Sequence, residues 1–167
     1  MITSIPRSNI WQRYLVFVVT TILWVTADQI SKSWVRNNIA PGNTLHIKGI
    51  LSFTYLTNTG GVFGIFQDHV EIFIVSSVII ILALLYFHYY FKVSHPLPNF
   101  AFGLIMGGAI GNLIDRIFFG QVTDFIDIRL WNNYHWAPFN TADSGVVVGA
   151  ILTIIIISVF GKIPTRN

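Results

Sequence analysis

Four of the chain's seven acidic residues, Asp115, Asp124, Asp127 and Asp143, fall in the single stretch between Gly108 and Asp143. It reads Gly108-Ala-Ile-Gly111-Asn112-Leu-Ile-Asp115-Arg116, then Val122-Thr-Asp124-Phe125-Ile-Asp127, then Phe139-Asn140-Thr-Ala142-Asp143, with long apolar runs on both sides. Carboxylates at the edge of hydrocarbon are costly to keep charged, so their presence calls for a reason. Asp124 follows the apolar run that ends at Phe119 and Asp143 opens the next one, which puts both at helix ends on one surface. Two carboxylates brought close do not both ionise easily, so one keeps a proton. Such a pair offers a base to activate water and an acid to protonate a carbonyl oxygen or a leaving amine. A purely structural reading stands beside this one. Asn140-Thr-Ala-Asp143 also fits an N-cap with an acid three residues on, which alone would stabilise a helix start.

Other polar groups sit in the apolar runs. Asp28 and Lys32 are spaced i, i+4 with the acid first, the favourable order for a helical ion pair. They are either a structural pair, each making the other tolerable in hydrocarbon, or a substrate contact. Gly103, Gly107 and Gly111, with Gly108 beside them, recur at helical spacing and let helices approach closely. Packing does not account for Asn112, Asp115 and Arg116, which follow within a turn. Asp115 can neutralise Arg116 or a cation on another span. Arg116 can instead grip peptide carbonyls of a bound segment, since its donors form a rigid fork. If Val122 to Leu130 is extended, Asp127 points opposite to Asp124, and a solvated carboxylate or a salt bridge to Arg129 is expected there.

Several chemistries are excluded. The five histidines are scattered, with no HExxH and no close pair at ligand spacing, so no metal site is expected. No cysteine is present, which removes disulfides, thiolate sites and a cysteine nucleophile. No phosphate-binding glycine loop appears, because Gly60-Gly61-Val-Phe-Gly64 lacks a Lys-Ser/Thr ending.

The elements that must position these residues are membrane spans. The chain has 167 residues, 53% hydrophobic and 10% charged, where a soluble domain carries roughly a quarter charged residues. Its net charge of +3 comes from singly scattered basic residues, not a stripe, so no nucleic-acid partner is expected. Spans are expected at about 14–35, 71–91, 100–119 and 144–161, each near the ~20 residues that cross a bilayer. The first run ends in Val25-Thr26-Ala27 like a signal peptide, but helical spacing continues through Trp34, so a span is the expectation. Two polar loops, 37–70 and 120–143, separate the spans in one integral membrane domain. Partial alternation from Leu45 to Thr57, with Leu51, Phe53 and Tyr55 opposite Ser52, Thr54 and Leu56, predicts one or two short strands, and Val122 to Leu130 another. Tyr86, Tyr89 and Tyr90 form an aromatic belt, and Trp131, Tyr134 and Trp136 look interfacial. Arg7, Arg13, Lys92, Lys162 and Arg166 crowd the ends and the short connection, whereas the long loops hold only Lys48 and Arg129 outside the spans. The positive-inside tendency then puts both termini in the cytoplasm and both loops outside.

Taken in order, Asp28-x-x-x-Lys32, Asn58-x-Gly60-x-x-Phe63, Gly108-x-x-Gly111-Asn112-x-x-Asp115-Arg116, Val122-x-Asp124-Phe125 and Phe139-Asn140-x-Ala142-Asp143 resemble the bacterial lipoprotein signal peptidase family (signal peptidase II). The resemblance covers roughly Thr26 to Gly145. One departure is Val62, where the family usually has Ala. It implies four transmembrane helices with a small extracytoplasmic β-cradle, and an aspartic endopeptidase of the bacterial cytoplasmic membrane acting on diacylated prolipoproteins. Carried over, Asp124 and Asp143 are the catalytic dyad. Asn58, Asn112, Arg116 and Asn140 orient the substrate or the dyad, and Asp28 and Lys32 support the site with Gly60, Gly108, Asp115, Val122 and Ala142. The resemblance further implies no metal or organic cofactor, membrane lipids as surroundings, globomycin-type inhibitors and a monomer. The rival from another class is a small transporter or ion-conducting protein whose pathway is lined by Asp28, Lys32, Asp115 and Arg116.

Overall fold

Four helices and a three-stranded sheet make up the structure, a computed structural model that describes residues 10–60, 66–90, 93, 95–130 and 134–160. In chain order they are α1 (Ile10–Asn38), β1 (Thr44–Lys48), β2 (Leu51–Asn58), α2 (Val70–Tyr90), α3 (Pro96–Phe119), β3 (Val122–Ile128) and α4 (Thr141–Phe160). All four helices are long and apolar enough to cross a membrane. Three begin earlier than the apolar pattern implies, α1 among them at Ile10. Helix α3 starts at Pro96, because prolines are tolerated in a first turn whose N–H groups are unpaired anyway, and the His95 ring caps it by accepting from the Leu97 N–H. Helix α4 starts at Thr141 because Asn140 caps it.

Helix α3 is the central one, lying between α1 and α4, while α2 packs chiefly on α3. Close approach along α3 depends on its glycines. A Cβ at Gly103 would meet Thr20, one at Gly107 would meet Trp24, and one at Gly111 would meet the Asp28 carboxylate, all on α1. A Cβ at Gly108 would run into the Ala142 carbonyl oxygen and the Val146 side chain of α4. The Trp24 ring covers Gly145 and donates to the Thr141 carbonyl at 3.0 Å, tying α1 to the first turn of α4. At the far end of the bundle, buried His88 of α2 stacks on Phe17 and hydrogen-bonds the Asn99 side chain at 2.6 Å. The most apolar window of α2 has no buried residue, as suits a helix facing lipid.

The sheet has order β1-β2-β3, antiparallel throughout. Phe125 of β3 packs with Val35 and Ile39 at the end of α1, and Phe53, Tyr55 and Ile126 complete that cluster. A register shift between Phe53 and Leu56 breaks the expected alternation of β2. Ser52 and Thr54 are buried despite their polarity, because His46 meets Ser52 while Thr44 and Asp127 meet Thr54, each at 3.0 Å. Phe139 bridges to Ile126, so the chain entering α4 runs beside β3. This is the contact that brings Asn140 next to Asp124. Phe63 and Trp131 lie outside the described residues, as do Arg7, Lys92, Lys162 and Arg166 among the basic residues that set the expected topology.

Gly108→Ala places a methyl group against a helix backbone that has no flexible end to move aside. It is expected to lower stability by on the order of 1–3 kcal/mol, read as a fall in unfolding temperature in detergent. An unchanged value would mean that α3 and α4 are not in backbone contact here.

Candidate active site

The C-terminal parts of α1 and α3 share a cluster of four charges. Lys32, fully buried, lies 2.9 Å from Asp28 and 3.3 Å from Asp115, both also fully buried. Arg36 reaches Asp115 at 3.5 Å from the other side. Two acids and two bases cancel, which is the condition for keeping them in a low-dielectric interior. The oxygens left over fasten neighbouring elements. Asp28 accepts the Ala142 N–H of α4 at 2.8 Å, and Asp115 accepts the Thr123 N–H of β3 at 3.0 Å. Gln29 adds donations to Asp28, Asp115 and the Gly111 carbonyl.

Three asparagines lead from this cluster to the two carboxylates, and each amide has a fixed orientation because its oxygen faces a group that can only donate. The Asn112 oxygen accepts from the Lys32 ammonium at 2.8 Å, so its NH2 points away and donates to Asp143 at 2.8 Å. The Asn140 oxygen accepts the Asp143 N–H at 3.0 Å, so its NH2 donates to Asp124 at 2.8 Å and to Asn112 at 3.2 Å. The Asn58 oxygen accepts the Gly60 N–H at 3.0 Å, and its NH2 donates to Asp124, also at 3.0 Å. Asp143 in turn accepts the Asn140 N–H at 3.1 Å, closing a reciprocal cap at the start of α4. The capping role read from the sequence is real, and it leaves the second Asp143 oxygen to Asn112.

Asp124 and Asp143 are therefore joined through Asn140 and Asn112, and no hydrogen bond between the two carboxylates is found among the described residues. Asp124 is 5% exposed, while Asp143 is half-buried. Burial, and secondly the charge of Asp143, push the Asp124 carboxyl from 3.8 up to about 6, against the opposing pull of the Asn58 and Asn140 donors and of Lys32. Arg116 makes no ion pair within 4.0 Å among the described residues. Its guanidinium lies over the Phe73 ring of α2, 5.2 Å from the centroid, and feels the charges of Asp143, Asp124 and Asp115.

The residues singled out in the sequence thus fall into two adjoining groups. Asn58, Asn112, Asp124, Asn140 and Asp143 form the carboxylate site, and Asp28, Lys32, Asp115 and Ala142 form the charge cluster beneath it. Gly60 and Val122 support Asn58, the first through its N–H and the second by pairing with it across β2 and β3. The cation that Asp115 neutralises is Lys32, with Arg36, and not Arg116. Asp127 departs from expectation: it is buried, held by Thr54 at 3.0 Å and by His135 at 2.6 Å, neither solvated nor bridged to Arg129. The folding of residues 134–139 back along β3 supplies His135. Arg36, Gln29 and Trp24 carried no motif, and only the i, i+4 step from Lys32 to Arg36 marked the latter.

Comparison with known proteins bears on this geometry. A family model described as signal peptidase (SPase) II matches residues 20–160. The lipoprotein signal peptidase of Syntrophomonas wolfei is 42% identical over 147 residues, covering 87% of this chain and 95% of that one. That of Moorella thermoacetica is 35% identical over 137 residues, covering 81% and 88%. A solved bacterial membrane enzyme structure, obtained by the in meso method at 2.3 Å, superposes with a TM-score of 0.75 at 29% identity, covering 96% of this chain and 98% of that one. These likenesses put the protein among membrane peptidases of the aspartic type. The chain belongs to the signal peptidase II family, the lipoprotein signal peptidases.

A carboxyl whose pKa is raised on folding lends stability that is whole below its unfolded value, here 3.8, and is lost as the pH climbs through its folded value, here about 6. Asp124→Asn cannot ionise and escapes that loss. Between about pH 4 and about pH 7.5 its stability relative to the parent is expected to improve by roughly 2–3 kcal/mol. Unfolding temperatures of both proteins across that range check this, and a difference that stays flat would contradict an Asp124 held in a buried, repelling setting.

Proposed function

We propose that Asp124 and Asp143 are the catalytic pair of this signal peptidase and that they activate water to cut the signal peptide from a diacylated prolipoprotein at the outer face of the cytoplasmic membrane. The observation that carries the reading is the shared asparagine: Asn140 donates its side chain to Asp124 and exchanges cap hydrogen bonds with Asp143. It holds two acids from distant parts of the chain at one place. Asp143, in the first turn of α4, sits where the helix dipole favours negative charge and receives the Asn112 NH2. It is the ionised base. Asp124, the more buried partner, whose carboxyl burial pushes up to about 6, is the acid, and a substrate that displaces water from around it raises its pKa further.

In the reaction, Asp143 takes a proton from water as the water oxygen bonds to the scissile carbonyl carbon. Asp124 gives its proton to the carbonyl oxygen. The tetrahedral adduct then breaks at the C–N bond, the leaving amine takes the proton held by Asp143, and Asp124 recovers its own from the adduct's hydroxyl. Arg116, with its fork not engaged by a carboxylate, is available to hold carbonyls of the bound peptide. A diacylated substrate is anchored in the outer leaflet, so its scissile bond lies near the headgroups, the level at which helix ends can present carboxylates to water. The scarcity of basic residues in the long loops supports the outward orientation. Globomycin-type inhibitors would occupy the same site, and a monomer carries all the residues the mechanism uses. The transporter reading loses ground because Asp28, Lys32 and Asp115 neutralise one another within helix contacts.

Asp124→Asn and Asp143→Asn are each expected to abolish the shortening of a diacylated prolipoprotein on a gel while leaving the unfolding profile cooperative. Substantial cleavage by either variant would remove the dyad. Infrared carboxyl bands, assigned by their loss in each variant, should locate the dyad's one proton on Asp124; a protonated Asp143 would exchange the two roles.

A further inference from the structure

Arg36 stands outside every motif of the chain, yet it touches both sides of the turn that delivers Asp124. Its guanidinium lies 4.3 Å from the centroid of Phe119, the last residue of α3. The chain then reverses at Gly120, which adopts φ 67, a left-handed conformation that suits glycine, and enters β3 at Val122. Beyond the turn, Arg36 Nη1 donates to the Thr123 hydroxyl at 3.0 Å and lies 3.5 Å from the Asp115 carboxylate, which itself accepts the Thr123 N–H. Thr123 is 3% exposed and immediately precedes Asp124. The turn is two residues long, and a rotation of β3 about its entry would swing the Asp124 carboxylate away from Asn140.

We propose that Arg36 is a positioning residue for hydrolysis: by clasping Phe119, Asp115 and Thr123 it fixes the entry of β3 and so aims Asp124 at the reacting atoms. This rests on the reading of Asp124 as a catalytic acid. Arg36 makes no contact with either dyad carboxylate among the described residues, so it acts only through the placement of its neighbours. Misplacing a catalytic group by about 1 Å costs up to ~100-fold in rate while leaving the grip on the rest of the substrate intact.

The test is steady-state cleavage of a diacylated prolipoprotein peptide by the full-length protein in lipid nanodiscs, with unfolding temperatures measured on the same samples and assays run well below them. Arg36→Met keeps the stem and removes the charge and the fork; kcat is expected to fall about tenfold or more, with KM within about twofold. Thr123→Val, which removes the hydroxyl acceptor, should lower kcat in the same direction, and the double variant should be little worse than Arg36→Met alone because both break one path. Arg36→Lys keeps a cation for Asp115 but loses the planar fork that spans Phe119 and Thr123, and should recover part of the lost kcat. Unchanged kcat in Arg36→Met, additive losses in the double variant, or losses that follow the fall in unfolding temperature without recovery by lysine would each overturn the proposal. Asp124→Asn is assayed alongside: cleavage by that variant would refute the dyad itself, whereas an inactive Asp124→Asn beside a fully active Arg36→Met refutes only the role of Arg36.

Discussion

The ammonium of Lys32, buried completely between two carboxylates and an amide oxygen, is the interaction on which the rest of the structure depends. A lone charge there would be intolerable, and so would a lone pair of acids. The cluster persists because Asp28, Lys32, Asp115 and Arg36 sum to zero and because its remaining hydrogen-bonding capacity is taken up by neighbours. Each use reaches a different element: Ala142 of α4, Thr123 of β3 and Asn112 of α3. Buried ion pairs are weak sources of stability when compared with good apolar packing, but they are demanding about geometry. In a helix bundle whose surfaces are otherwise interchangeable hydrocarbon, that demand sets which faces meet and at what height.

The asparagines turn this geometry into chemistry. An amide can point either way at little cost unless one of its ends is constrained by a partner with a single role. Lys32, the Asp143 N–H and the Gly60 N–H are all pure donors, and each fixes one amide oxygen. Each of the three NH2 groups is thereby turned to a carboxylate, and that of Asn140 to the Asn112 oxygen as well. A charge cluster without a contact to either carboxylate of the pair thereby dictates where donors fall around Asp124 and Asp143. The opposing tendencies at Asp124 follow from the same layout: burial and Asp143 favour its protonated form, while two amides favour its charged form. A group poised between the two can change state during a reaction.

The sequence made the helices plain because they are apolar runs of spanning length, and the errors lay at the starts of α3 and α4 and at both ends of α1. Those at α3 and α4 have a local cause, since a cap and a pair of prolines belong to a helix without looking like hydrocarbon. The strands were legible from alternation, but the register shift in β2 was not, since nothing in Thr54-Tyr55 announces it. Of the site, the acids and Asn112 were visible as polar residues in costly places, Asn140 as a helix cap, and Asn58 only through the family motif it stands in. Arg36 was not, because its partners stand 79, 83 and 87 positions away and its role exists only once α1, α3 and β3 have met. Asp127 was misjudged for the same reason. Its partner His135 is close in sequence, but only the return of residues 134–139 along β3 turns that ring inward.

Asp143 shows why the structural and the chemical readings of one residue need not compete. As a cap it is fixed by the backbone N–H of Asn140 through one oxygen, which spares the first turn of α4 an unpaired donor. That bond also removes the rotational freedom of the carboxylate, so its second oxygen meets Asn112 at a defined angle and distance. A base mounted on a loop would have to be ordered by its substrate at each turnover, at the expense of binding energy. A carboxylate that is part of a helix terminus, as Asp143 is, is ordered by folding. The same holds across the site: Asp124 is fixed by a strand, Asn112 by the central helix and Asn140 by the cap, so no group in the cluster waits for the substrate to place it.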